Sequence, residues 1–268
     1  TLVDKYKGKD TFTTFNEGYL FYLQVNFKNN TVANKNVREA LAYAINRKDL
    51  CENVLKDGSM AATGFVPSQL SKSPAGKDFR DDADKYVSYD QKKAQEYLDA
   101  AKKELGTDTI TIDLLYGTDE SPMDTMAEYL QGSFSKLKGL KVNMVATVKK
   151  DRIYNREANG NFQVVCTRWG PDYADPTTYL NLALTDNSNN YGKYANAKFD
   201  ALMEQIQKES DLTKRWDLMI QAEKVMMEDM AYIPVFEKGS AALKAKNVKG
   251  LVVVPVGTPY TFKYVKLK

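Results

Sequence analysis

Between positions 110 and 146 the apolar residues change period twice, and this constrains the fold more than any other feature. Ile110, Ile112, Leu114 and Tyr116 alternate with Thr111, Asp113 and Leu115, the period of a strand. Ser121 and Pro122 then open a helix, the serine as cap and the proline as first-turn lock, with Met126, Tyr129, Leu130, Phe134 and Leu137 along its face. Leu140, Val142, Met144 and Ala146 alternate again. A strand, a helix and a strand in this order form a parallel pair with a right-handed crossover. The class is therefore α/β.

The segments around this unit give the chain β-rich ends. Residues 1–17 are polar and read as irregular, and 18–27 is apolar nearly throughout, as a central strand is. A helix is expected over 37–55, with Val37, Leu41, Ile45, Val54 and Leu55 on or near one face, capped by Asn34 or Asn36 and followed by Gly58. A long loop over 58–74 carries a proline near each end. Asp90 caps a helix to Leu105, and Gly106 fits its C-terminal cap. A short helix over 150–158 leads to a strand over 162–168. Helices over 198–208 and 212–230 follow, packed by Phe199, Leu202, Met203 and Ile206 and by Trp216, Met219, Ile220 and Met227. Pro234 marks the strand 232–236 as an edge or a strand end. Final strands are expected over 251–254 and 260–265. No repeat or low-complexity segment interrupts the order.

Composition removes several kinds of chemistry. There is no histidine, so the usual zinc ligand and general base are missing, and with them any Ser-His-Asp or Cys-His site. No phosphate loop or nucleophile elbow is present, and no cofactor is expected. The net charge of +3 over 268 residues, with basic and acidic residues interspersed, argues against a nucleic-acid footprint. The longest apolar runs are only a few residues, so neither a membrane-spanning helix nor a signal peptide is read in this stretch. Cys51 and Cys166, far apart in sequence, read as buried free thiols.

The strand over 162–168 runs into Trp169, Gly170, Pro171, Asp172, Tyr173, Ala174, Asp175 and Pro176, after which a helix is expected over 177–184. A strand that ends in an aromatic residue and a carboxylate-bearing turn can present chemistry from a rigid scaffold. The same residues also read as a turn at Asp172 and a helix cap at Asp175.

Several segments together resemble the C-terminal half of extracytoplasmic solute-binding proteins of family 5, the oligopeptide- and dipeptide-binding receptors of ABC importers. They are Val25-Asn26, then the helix running from Asn36 through Val37, Arg38, Glu39, Ala40 and Leu41 to Arg47, and Asp90 to Leu98. After the Trp169–Pro176 stretch come Asn190-Tyr191-Gly192, Phe199 to Leu202, Arg215 and Ile233-Pro234. The order and spacing cover nearly the whole chain. The resemblance implies a periplasmic-binding-protein-like (type II) C-terminal lobe, with a mixed sheet and flanking helices. Residues 28–235 would form that lobe, while 1–27 and 236–268 would be strand regions of the hinge or first lobe. It implies peptide capture between two lobes, with Asp172 paired to the free α-amino group. The main chain at Arg168, Trp169 and Gly170 would dock the peptide like an added strand, with Tyr173 and Asn26 completing the ligand-binding set. Pro171 offers no N–H donor, and Arg168 either adds positive charge near Asp172 or serves a ligand carboxylate.

The implied partners are an oligopeptide and the permease subunits of an ABC transporter, with the receptor a monomer. The implied location is extracytoplasmic. Lysine outnumbers arginine, which by association favours a Gram-positive cell-surface lipoprotein over a periplasmic protein, with its lipid anchor on the absent N-terminal part. Three other readings stand beside this one: another solute on the same scaffold (a nickel complex, haem or an oligosaccharide), a hydrolase using Asp172 and Asp175 as a carboxylate pair, and a cell-surface module that binds only a protein partner.

Overall fold

The computed structural model describes residues 2–9 and 11–268. Six strands form the main sheet: β1 (Phe12–Val25), β2 (Met60–Ala61), β3 (Ile110–Gly117), β4 (Leu140–Thr147), β5 (Val164–Trp169) and β6 (Tyr232–Leu243), in spatial order β2-β6-β1-β5-β3-β4. The expected parallel pair is β3 and β4, in register from Ile110↔Leu140 to Gly117↔Thr147. β5 runs parallel to β3, and β1 runs antiparallel to both β5 and β6. The carboxyl ends of β3, β4, β5 and β6 therefore emerge at one end of the sheet, beside the amino-terminal half of β1. In open α/β sheets that end is where ligands bind.

Five longer helices cover the sheet: α1 (Lys35–Ala44), α2 (Gln91–Leu105), α3 (Met123–Phe134), α4 (Ala197–Lys208) and α5 (Leu212–Glu228). The Asn34 side chain accepts from the Asn36 and Val37 N–H groups, and Asp90 accepts from Lys93. Gly106 ends α2 at φ 65, a left-handed conformation that glycine adopts without steric cost. A large core cluster packs on the sheet, and a small separate one gathers Leu115, Phe162 and Val165. Phe21 of β1 and Phe236 of β6 stack at 4.5 Å between ring centroids, and Leu20, Leu23, Leu114 and Val164 are fully buried. Cys51 and Cys166 are both buried free thiols. Among the described residues no helix is long and apolar enough to cross a membrane.

Several elements differ from expectation. The stretch predicted as one helix over 37–55 breaks at Ile45, which is extended at φ −89, ψ 110. Asn46 starts a new helical turn by accepting from the Asp49 N–H, because an asparagine side chain competes for backbone donors and favours caps. The buried Arg47 guanidinium holds the break together by donating to the Ala42, Ile45 and Pro234 carbonyls at 2.9, 3.2 and 2.7 Å. Ser121 does not cap α3, whose first turn has no side-chain cap.

The predicted irregular region 1–17 includes Thr1 and Asp10, which lie outside the described residues. Of the rest, Leu2–Tyr6 is helical and β1 already begins at Phe12. β6 is twelve residues long, and Pro234 lies near its start, where β2, paired only with Phe236 and Glu237, does not cover it. The β1–β6 register jumps between Phe21↔Phe236 and Tyr22↔Pro234, leaving Val235 as the extra residue of a bulge beside the proline. β2 lies inside the predicted loop over 58–74. The expected final strands reduce to two-residue ladders, Val252–Val253 with Tyr260–Thr261 and Val248–Lys249 with Lys266–Leu267.

Candidate functional site

β5 ends at Trp169, and the chain turns through Gly170, Pro171, Asp172 and Tyr173 before the helical turn Thr177–Leu180. Two clefts flank this turn and share Tyr19 and Trp169 as a common wall. The larger, about 620 Å³, is bordered by Phe15, Glu17, Gly170, Asp172 and Tyr260. The smaller, about 290 Å³, is bordered by Arg168, Glu120, Lys149, Arg152 and Tyr191.

The two aspartates of the turn have different surroundings. Asp172 is exposed, and its backbone N–H is fixed by the Thr178 hydroxyl at 3.0 Å. Among the described residues, no hydrogen bond or ion pair reaches its carboxylate. Asp175 is half-buried and saturated. It takes Arg215 of α5 at 2.6 and 3.1 Å, and the Thr177 N–H and hydroxyl at 3.0 and 2.6 Å. Burial pushes the Asp175 carboxyl up, but the Arg215 and Thr177 hydrogen bonds outweigh it and hold the group below the usual carboxylate range. Asp175 is thus both the brace of the helical turn and the anchor of the loop to α5. The two carboxylates of the turn are therefore unlike in their bonding.

Close approach of rings and backbone builds the wall. A Cβ on residue 170 would lie 2.4 Å from the Tyr19 ring, so only glycine fits there. The Arg168 guanidinium sits 4.8 Å from the centroid of the same ring. The Tyr179 hydroxyl donates to the Gly18 carbonyl, joining the helical turn after β5 to the middle of β1. Tyr173 is 43% exposed on the turn, and its hydroxyl accepts from Asn181 at 3.0 Å. β3 pairs with β5 only at Val164 and Val165, so on that side Arg168 and Trp169 have no strand partner among the described residues. The Trp169 indole N–H is buried without an acceptor.

Under the smaller cleft lies an ionic cluster that sequence reading misses. Arg152 donates to Glu120 Oε2 at 2.8 and 3.2 Å and to Thr167 Oγ1 at 3.0 Å, and it is paired with Glu157. Burial pushes the Glu157 carboxyl up to about 7, although Arg152 pulls the other way. Lys149 and Arg168 reach the other Glu120 oxygen at 3.5 and 3.7 Å. The sequence signal is faint. Arg152 and Glu157 are five apart, a spacing that meets only where a helical turn is wide, as the Ala158 N–H to Ile153 carbonyl bond shows here.

Of the residues singled out from sequence, Arg168, Trp169, Gly170, Asp172 and Tyr173 come together at this turn. Asn26 does not. Its buried amide donates to the Gly160 and Phe162 carbonyls at 3.0 and 2.9 Å and its oxygen accepts from the Lys28 N–H, so its hydrogen-bonding groups are spent on a turn. The register Leu20↔Trp169 and Val25↔Val164 places it six residues along β1 from the Trp169 level, roughly 20 Å at a strand's rise.

Comparison with known proteins agrees with this geometry. Residues 1–191 match the bacterial extracellular solute-binding proteins, family 5 Middle. A dipeptide-binding protein of Lactococcus lactis is 31% identical over 280 aligned positions, covering 100% of this chain and 50% of the relative. The substrate-binding domain of an oligopeptide ABC transporter from Bacillus anthracis superposes with a TM-score of 0.85 at 31% identity, over 99% of this chain and 53% of that one. The Listeria monocytogenes OppA bound to peptide gives a TM-score of 0.83 at 32% identity, covering 99% and 52%. The chain thus spans about half the length of the relatives it matches. It belongs to family 5 of the bacterial extracellular solute-binding proteins.

Proposed function

We propose that this chain is the ligand-holding lobe of the substrate-binding component of a peptide ABC importer, with Asp172 as the counter-charge for a peptide's free α-amino group. The observation that carries the reading is the Asp172 carboxylate, which has no partner among the described residues and stands beside a strand edge that ends at Trp169. An ammonium group taken from water needs a fixed opposite charge, and an unpaired carboxylate on a hydrogen-bonded turn supplies one without breaking an existing bond. The open flank of Arg168 and Trp169, continued through Gly170, suits main-chain pairing with an extended peptide whatever its sequence. Tyr173, exposed on the same turn, is a further candidate contact. The names of the relatives, dipeptide- and oligopeptide-binding proteins, support the same ligand class.

In this reading residues 28–235 form the lobe, while 1–27 and 236–268 lead to the hinge and the opposing lobe. The β1–β6 ribbon supports that division, since Phe12–Asn16 pairs with 239–243 beyond the other strands. The receptor works outside the cytoplasm as a monomer and delivers peptide to permease subunits. Its membrane attachment is a lipid anchor, as on a Gram-positive cell surface.

Calorimetric titration of the intact protein with an alanine tripeptide and its N-acetylated twin tests the amine contact. The free-amine peptide is expected to bind more tightly by about 2–5 kcal/mol, and Asp172→Ala to lose a similar amount. Equal affinity for the two peptides, or an Asp172→Ala protein that binds like the parent, overturns the assignment.

A further inference from the structure

We propose that the smaller cleft is a subsite for an acidic side chain of the bound peptide, with Arg168 and Lys149 as the pair that holds its carboxylate. The inference rests on the peptide reading above and adds a selectivity to it.

Arg168 and Lys149 line the cleft and are held to Glu120 only by loose ion pairs. Their side chains are 30% and 48% exposed, and they approach Glu120 Oε1 at 3.7 and 3.5 Å, too far for good hydrogen bonds. That oxygen has no hydrogen bond, because Arg152 takes only the other one. Arg168 makes no hydrogen bond through its guanidinium among the described residues. It is held by the distant Glu120 and by the Tyr19 and Phe21 rings, whose centroids lie 4.8 and 5.9 Å away. A guanidinium braced on an aromatic face with its fork free is preorganised for a carboxylate.

Charge favours the same occupant. Three cations, Lys149, Arg152 and Arg168, face two carboxylates, Glu120 and Glu157. Glu157 is faced by Arg152, Glu120, Tyr22 and Tyr191, and its burial opposes the charged form, which does nothing to offset the cleft's excess of cations. Size points to a side chain and not a whole ligand, since about 290 Å³ lies at the lower limit of small-molecule pockets. The two clefts share Tyr19 and Trp169. A peptide with its amine at Asp172 in the larger cleft therefore has a neighbouring residue at the mouth of the smaller one.

The test titrates the intact protein with alanine tripeptides carrying glutamate or glutamine at each position in turn, each as the free acid and as the C-terminal amide. In at least one register the glutamate peptide is expected to bind about tenfold tighter than its glutamine twin, and the gap should survive amidation. It should collapse in Arg168→Gln and Lys149→Gln. If those variants fail to fold, the parent protein's glutamate–glutamine gap decides alone. Equal affinities at every position overturn the subsite while leaving the peptide reading intact. A gap that depends only on the terminal carboxylate overturns it too. Failure of every peptide to bind, the all-alanine one included, overturns both.

Discussion

Replacing Arg152 with methionine should destabilise the protein more than any single change at the surface of the clefts. The side chain is 2% exposed and joins Glu120 and Glu157, themselves 4% and 3% exposed. Methionine fills much of the same volume, so packing changes little and the loss is electrostatic. It strands two buried carboxylates, leaving Glu120 with Lys149 and Arg168 at 3.5 and 3.7 Å and Glu157 without its guanidinium. Removing one partner of a buried ion pair costs about 3–5 kcal/mol. At about 2–4 °C per kcal/mol for a domain of this size, Tm should fall by about 10 °C at pH 8. The stranded carboxyls relieve the cost by taking up protons, so the deficit should shrink at pH 5. Neutralising both in the triple variant E120Q/R152M/E157Q should recover most of it. Urea titration and thermal melts followed by circular dichroism at the two pH values measure this. A loss below about 1 kcal/mol at pH 8, or the same loss at pH 5, refutes the claim that Arg152 holds two charged partners.

Glu157 itself should make stability fall as pH rises. Its folded carboxyl titrates near 7, above the ordinary glutamate value, so its stabilising contribution is full below that ordinary value and is lost as pH rises through about 7. Urea midpoints between pH 5 and 8 should show this slope, and Glu157→Gln should flatten it. Asp175 has the opposite sign: held below the usual range, it contributes stability above the ordinary carboxylate value that is lost as pH falls through its folded value. Asp175→Asn or Arg215→Ala should cost about 1.5–3 kcal/mol at neutral pH, read from the urea midpoint. Burial pushes the Cys51 thiol up to about 12 and Cys166 higher than its ordinary value. Both should therefore resist a thiol reagent in the native protein and react once it is unfolded in urea.

What the sequence reveals of the fold is what short-range physics enforces. The alternation at 110–116 and 140–146 forces β3 and β4, and Asp90 and Gly106 punctuate α2 because capping is a contact between near neighbours. The break at Ile45 is hidden because Arg47 compensates it through Pro234, far along the chain. The length of β6 is hidden because its second half is specified by pairing with 12–16, not by its own periodicity. The site follows the same division. The turn from Trp169 to Asp175 is one contiguous stretch and can be read directly. Tyr19, Glu120, Lys149 and Arg152 reach it from three other segments, and only the sheet topology brings them together.

Four of the carboxylates near Trp169, namely Asp172, Asp175, Glu157 and Glu120, differ in what each would give up to a cation. Asp175 would have to surrender Arg215 and two donors from Thr177. Glu157 is buried and already paired with Arg152, so it is a weak counter-charge for an incoming ammonium. Glu120 already shares three cations, and a fourth positive group there would meet Lys149, Arg152 and Arg168. Asp172 has no hydrogen bond or ion pair at its carboxylate to give up among the described residues, and its backbone N–H is held by the Thr178 hydroxyl. The saturated aspartate three residues on is what makes this possible. Asp175 and Arg215 hold the loop, so Asp172 has no structural bond to make and its charge stays available on a turn that does not need it for support.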